Sequence, residues 1–135
     1  MLKKVFPGVF ASLAQISDFI AENTKLAGFD DKETYGVQLA VDEACSNIIE
    51  HAYGSDTEGE IECVCLPSEE GITIVLKDTG RTFSPDEVPE LDVGVPLFEL
   101  GDRGAGLFLI KKLMDEVEFE FPETGGTTLT MTKKK

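Results

Sequence analysis

Several features that define large classes of proteins are missing from this sequence of 135 residues, or scarce in it. No run of about 18 apolar residues could span a membrane, and no apolar stretch follows Met1 as a secretion signal would. The three cysteines are an odd number without the spacing of a metal site, which argues against a disulfide framework. We therefore expect a reduced, cytoplasmic protein with no membrane segment.

Basic residues are also scarce, with 12 Lys and Arg against 26 Asp and Glu, so that the formal net charge is −14. Direct binding to DNA or RNA needs a basic surface, and this balance argues against it. A phosphate ligand fits this composition only if a metal ion or backbone amides supply positive charge locally. The length and a hydrophobic content of 41% fit one globular domain over residues 1–135.

The first half of the chain has the periodicity of two helices. The first helix has an apolar stripe made of Val9, Leu13, Ile16 and Ile20. Gly28 is its expected stop, and the second helix starts with a capping box of Asp30 and Glu33 and continues to about Tyr53. The buried stripe of this second helix is Val37, Val41, Ala44 and Ile48.

Apolar and polar residues alternate in the second half, which predicts strands with one buried and one solvated face. The segments are residues 60–65, 72–77, 116–121 and 128–132, and residues 2–6 are a candidate fifth strand. A third helix is expected from Gly106 to about Met114. The fold class is therefore α+β: a two-layer α/β sandwich, with helices on one face of a mostly antiparallel sheet. The irregular residues 81–103 are long enough to form a lid.

Two polar residues fall at buried positions of this strand pattern. Asp78 has the parity of Leu76, so its carboxylate should point toward the buried layer, where an ionised group is costly without a donor. Alternatively, the strand ends at Lys77 and Asp78 only opens a turn. Thr127 has the parity of Leu129, and its hydroxyl could satisfy a neighbouring backbone group or help to hold a polar aromatic ring.

The second helix carries a carboxylate and a carboxamide one turn apart, at Glu43 and Asn47. Gly36 and Ala40 lie on the same side, which predicts a low helix face open to a ligand. A carboxamide oxygen can bind Mg²⁺ while a neighbouring carboxylate stays free to take a proton. A solvated helix face without function would show the same pair.

Glycines mark the start of the third helix at Gly104 and Gly106, where the backbone could approach a ligand and unpaired amides attract anions. Turns use glycine freely, so this signal is weak by itself. The chain has no glycine-rich run ending in Gly-Lys-Ser or Gly-Lys-Thr, which argues against a P-loop enzyme.

The order of these features resembles that of the GHKL ATPases, whose Bergerat fold holds ATP between helices and a sheet. Within that superfamily, residues 39–53, 78–85 and 106–115 look like the anti-sigma-factor serine/threonine kinases of bacteria. The resemblance spans nearly the whole chain. Two departures are Arg103, where many relatives have glycine, and Thr127, where many close relatives have asparagine.

The resemblance implies a role for each matching residue. Asp78 would accept a hydrogen bond from the adenine amino group, supported by Gly80 and Thr127. Asn47 would coordinate Mg²⁺, and Glu43 would be the general base that activates a hydroxyl or a water. The residues implied to bind the phosphates of ATP, beneath a lid at about 81–103, are Arg103, Gly104, Gly106 and Leu107.

The function implied is an ATP-dependent serine/threonine protein kinase that acts as an anti-sigma factor. It would bind a sigma factor, phosphorylate a Ser or Thr of an antagonist protein, and form a homodimer. One alternative is a nucleotide-gated binding module without catalysis, for which Glu43 would have little use. Another is the ATP-binding domain of a histidine-kinase-like system, which would need an acceptor on another protein because the only histidine, His51, lies in the nucleotide-site helix.

Overall fold

The computed structural model describes residues 2–49, 59–78, 108–120 and 127–135. Residues 108–113 are also helical. The helices are α1 (Leu13–Leu26) and α2 (Asp31–Ile48), and a short 3-10 turn covers Phe10–Ser12. The strands are β1 (Leu2–Pro7), β2 (Glu60–Ser68), β3 (Gly71–Asp78), β4 (Glu116–Glu120) and β5 (Thr128–Lys134).

The described strands form one antiparallel sheet in the order β1-β2-β3-β5-β4. Alternate residues of its three central strands are buried against the apolar faces of α1 and α2, and together they make the core. The buried strand residues include Ile61, Cys63, Cys65, Ile72, Ile74, Leu76, Leu129 and Met131. The α+β sandwich predicted from the alternation is therefore confirmed, and with it the candidate strand at the N-terminus. No helix in the described ranges is long and apolar enough to cross a membrane.

The start of α1 differs from the prediction, because Val9 is not helical. Val9 has extended backbone angles (φ −125°, ψ 152°), and its carbonyl accepts from the amide of Ser12 at 2.9 Å. The chain leaves β1 through Pro7 and Gly8 and makes the 3-10 turn before α1 begins, which takes Val9 out of the helical stripe. The predicted stop is confirmed, since Gly28 has a φ of +103° after the last residue of α1.

The start of α2 follows the prediction. The carboxylate of Asp30 accepts a hydrogen bond from the amide of Glu33 at 2.8 Å, so one of the orphan donors of the helix end is satisfied. The predicted stripe of α2 is buried. The predicted end near Tyr53, the lid at 81–103 and the first two residues of the third helix lie outside the described residues.

The turn between β2 and β3 depends on Gly71. Its φ is +154°, and a Cβ at this position would come within 2.0 Å of the backbone carbonyl oxygen of Lys133 in β5. Only a residue without a side chain allows β3 to approach β5 this closely at its first position.

We expect Gly71→Ala to lower the free energy of unfolding by about 1–3 kcal/mol, because the new methyl group must displace a backbone carbonyl of the sheet. The matched control is Gly36→Ala inside α2, where a Cβ would lie 3.6 Å from Leu113 in ordinary contact. The control should be neutral or more stable by up to about 1 kcal/mol. Urea unfolding followed by circular dichroism measures both, and equal stability of the two variants would contradict this account of the turn.

Candidate functional site

The end of the sheet formed by the last residue of β3 and the start of β5 carries two buried polar side chains. Asp78 is 6% exposed and Thr127 is 1% exposed. The amide of Asp78 donates to the carbonyl of Thr127 at 3.0 Å, which joins the two residues directly. Asp78 is also in register with Ile61 of β2, so β3 does not end at Lys77 and Asp78 does not merely open a turn.

The hydroxyl of Thr127 is the other buried polar group at this end of the sheet. Its Oγ1 is fully buried and has no hydrogen-bond partner among the described residues. The prediction that Asp78 and Thr127 face the buried layer is confirmed by their exposure. A buried carboxylate beside a buried hydroxyl offers an acceptor and a group that can donate or accept, which is the pattern that recognises the polar edge of a heterocycle.

The other two described site residues lie on α2. Glu43 and Asn47 are both half-buried, one turn apart, as the i, i+4 spacing predicts. The Nδ2 atom of Asn47 is fully buried without a hydrogen-bond partner among the described residues. A half-turn of the carboxamide exchanges its nitrogen and oxygen, so the group can present either a donor or an acceptor.

A contact between two cysteines shows where α2 lies relative to β2. The side chain of Cys45 is hydrogen-bonded to that of Cys63 in β2, and this bond, together with burial, raises the pKa of Cys45 well above its ordinary value. Burial likewise raises the pKa of Cys65 to about 12. All three cysteines are buried and free, and they pack in the core as small apolar groups, as predicted for Cys63 and Cys65.

The direction of α2 places the turn that carries Glu43 and Asn47 at the same end of the sheet as Asp78. The helix starts near Lys133, at the far end of β5, and reaches Cys63 of β2 at Cys45. The next inward-facing pair along β2 and β3 is Ile61 with Asp78, and Asn47 lies about 3 Å further along the helix axis than Cys45. The sequence did not predict the contact of Cys45 with Cys63, although the position of Cys45 beside the buried stripe was a signal.

One part of the predicted helix face is wrong. Ala40 has no exposed surface, and the side chain of Leu113 lies 3.6 Å from where a Cβ on Gly36 would be. The lack of a side chain at Gly36 therefore lets Leu113 of the helical segment 108–113 approach α2. On this face Gly36, Glu43 and Asn47 keep part of their surface exposed, whereas Ala40 does not.

Five predicted site residues lie outside the described residues: Gly80, Arg103, Gly104, Gly106 and Leu107. Their roles, and that of the lid, stay predictions. Within the described ranges, no group of three or more His, Cys, Asp or Glu side chains is arranged to hold a metal ion. Mg²⁺ in phosphate sites usually takes one or two ligands from the protein and the others from substrate phosphates and water. The carboxamide of Asn47 suits that arrangement.

Comparison with known proteins agrees with this geometry. The sequence profile of the histidine kinase-like ATPase domain matches residues 6–133. The serine-protein kinase RsbW of Bacillus mycoides (strain KBAB4) is 37% identical over 109 residues, which cover 78% of this chain and 65% of that protein. The RsbW of Bacillus cereus (strain AH187) is 36% identical over 118 residues, which cover 84% of this chain and 70% of that protein. The chain thus spans about two thirds of the length of these relatives.

Solved structures show the same fold at lower sequence identity. The structure of the RsbU and RsbW domains of Rv1364c from Mycobacterium tuberculosis matches 99% of this chain and 32% of that chain, with a TM-score of 0.64 and 17% identity. The catalytic domain of the histidine kinase ThkA matches 100% of this chain and 98% of that chain, with a TM-score of 0.58 and 14% identity.

Proposed function

The chain belongs to the histidine kinase-like ATPase domain family, and on that premise we propose that it is an ATP-dependent serine/threonine protein kinase that acts as an anti-sigma factor. The resemblance carried by its motifs is confirmed by the match over residues 6–133 and by the RsbW relatives. The observation that carries the proposal is the buried pair of Asp78 and Thr127 at one end of the sheet.

The buried pair would select adenine. The carboxylate of Asp78 accepts a hydrogen bond from the exocyclic amino group, and the hydroxyl of Thr127 meets the neighbouring polar edge of the ring. Gly80, just after Asp78 in the sequence, would let the backbone approach the base. A guanine in the same place would put a carbonyl against the carboxylate, so this pair of residues favours ATP over GTP.

The turn of α2 would serve the phosphates. Asn47 would hold Mg²⁺ through its carboxamide oxygen, and the ion would neutralise charge on the phosphate oxygens. The Nδ2 atom of this side chain supports the assignment, because it is buried and makes no hydrogen bond within the described residues. In a chain of net charge −14, local positive charge is a requirement of any phosphate site.

Glu43 would be the general base. It is half-buried one turn from Asn47, so its carboxylate can reach the hydroxyl of an incoming Ser or Thr, or a water, next to the bound phosphates. As the oxygen attacks the terminal phosphorus and the bond to the diphosphate breaks, Glu43 takes the hydroxyl proton. The amides of Gly104, Gly106 and Leu107 and the guanidinium of Arg103 would hold the phosphates.

The partners in this proposal are proteins. The kinase would bind a sigma factor and phosphorylate a Ser or Thr on the antagonist that releases it, as the resemblance implies. A homodimer and a cytoplasmic location are part of the same proposal.

Replacing Asp78 by Asn tests the adenine site. The amide keeps the size of the side chain and removes the charge that strengthens the hydrogen bond, so we expect ATP to bind about 10- to 100-fold more weakly. Asp18→Asn on the exposed face of α1 is the control with the same change in charge and should bind as the wild type does. Fluorescence titration with a labelled ATP analogue measures both, and unchanged affinity in the Asp78 variant would reject the adenine assignment.

Replacing Glu43 by Gln separates binding from catalysis. The variant should bind ATP with Mg²⁺ nearly as the wild type does, while ADP formation falls by about 10²- to 10⁴-fold because the base is lost. Asp42→Asn, the preceding carboxylate of α2, is the matched control and should keep its rate. A wild type that binds ATP but forms no ADP, alone or with its protein partners, would favour the non-catalytic binding module instead.

A further inference from the structure

A cavity lies at the opposite end of α2 from the turn that carries Glu43 and Asn47. Its volume is about 450 Å³. Lysines from three different elements line it: Lys32 from α2, Lys112 from the helical segment 108–113, and Lys133 from β5. Gly36 and Leu113 complete an uncharged part of the wall. We refer to this cavity as the lysine pocket.

Lys133 breaks the strand pattern to reach the lysine pocket. It continues the inward parity of Leu129 and Met131, and its register partner in β3 is Ile72, which is 1% exposed. A lysine at the inward position of a central strand is half-buried here, so its aliphatic stem lies against the core and its amine emerges under the start of α2. The pattern predicts an apolar residue at this position. A lysine here instead places an amine in the lining of the lysine pocket.

The three amines of the lysine pocket are not neutralised by ion pairs within the described part of the chain. Nearby lysines are paired, as Lys25 with Asp31 at 3.3 Å and Lys134 with Glu116 at 3.2 Å. The amine of Lys112 instead lies 5.6 Å above the ring of Phe108, which is 46% exposed. Unpaired cations, an apolar wall and an exposed aromatic ring thus occur together.

The lysine pocket differs from a simple anion-binding site at a helix N-terminus. Asp30 already caps α2 through the amide of Glu33, so the protein satisfies that end itself. The binding capacity comes from the amines, with Asp30 and Glu33 as the only carboxylates in the lining of the described cavity. Asp30 keeps its negative charge in the cap, so both carboxylates weaken the positive potential of the three amines, and Glu33 is the one whose side chain is not needed for the cap.

We propose that the lysine pocket docks an acidic segment of a partner protein, with carboxylates meeting the three amines and apolar side chains meeting Leu113 and Phe108. The cavity volume is in the range of sites for extended ligands and larger than one carboxylate or phosphate needs. The rest of this protein, at a net charge of −14, repels an acidic chain, which confines binding to this place. The site needs no nucleotide, so this inference goes beyond the proposed function.

The probe for this site is a fluorescein-labelled peptide of ten alternating glutamates and leucines, titrated with the full chain at low salt and followed by fluorescence anisotropy. We expect saturable binding that weakens steeply at 0.5 M salt. The triple variant Lys32→Gln, Lys112→Gln and Lys133→Gln should bind at least about tenfold more weakly. Circular dichroism should show that the triple variant keeps the secondary structure of the wild type, because these amines make no ion pairs within the described ranges.

The control variant removes the same charge elsewhere, by Lys3→Gln, Lys4→Gln and Lys77→Gln, and should change the affinity less than about twofold. Glu33→Gln makes the opposite prediction, since it removes a repelling carboxylate and should tighten peptide binding by about two- to fivefold.

Equal losses in the two triple variants, or no binding of the peptide at low salt, would overturn the proposal. Displacement of the peptide by inorganic phosphate at equal concentration would also overturn it, because the pocket would then be a simple anion site. None of these outcomes depends on ATP, so failure here is distinguishable from failure of the kinase proposal.

Discussion

Burial of the Asp78 carboxylate is the constraint on which the rest of the site depends. A carboxylate that is 6% exposed at the end of a central strand is costly unless its surroundings and its ligand supply hydrogen bonds. The sheet holds it in place from both sides, through the register with Ile61 of β2 and the hydrogen bond to the carbonyl of Thr127. The same hydrogen bond brings the Thr127 hydroxyl beside it, so one strand pairing builds both halves of the proposed adenine site.

Helix α2 runs from the lysine pocket to the candidate nucleotide site. Its capped start borders the lysine pocket, and its later turns pack on β2 where Cys45 meets Cys63. The helix lies close to the helical segment 108–113 at Gly36, and further along it Glu43 and Asn47 are both half-buried, one turn apart. In the proposed kinase, that segment would follow the phosphate-binding glycines in the sequence, so the two elements that frame the lysine pocket would also hold ATP.

Much of the fold was predictable from alternation and capping alone. The parity of Asp78 and Thr127 relative to their strands determined their burial, because a side-chain period of two leaves no other face for them. Local patterns failed where tertiary contacts decide. Val9 fits a helical stripe but lies before a 3-10 turn, and Ala40 is covered by packing that no local pattern encodes.

The candidate site was predictable in part for the same reason. The i, i+4 pair of Glu43 and Asn47 and the two strand positions can be found in the sequence, and their grouping at one end of the sheet required the direction of α2. The lysine pocket is a different case. Lys133 has the parity of Leu129 and Met131, but it belongs to a run of three lysines at the C-terminus, and the register with Ile72 was needed to show that it continues the inward face of β5.

The central claim is that this chain is an ATP-binding kinase domain whose nucleotide site needs Mg²⁺. Calorimetric titration of the purified protein with ATP, in the presence of Mg²⁺ and again with the ion chelated, tests it most directly. The account predicts one saturable site per chain that binds ATP substantially more tightly with Mg²⁺. No binding heat in either condition, over a range of temperatures, would contradict it.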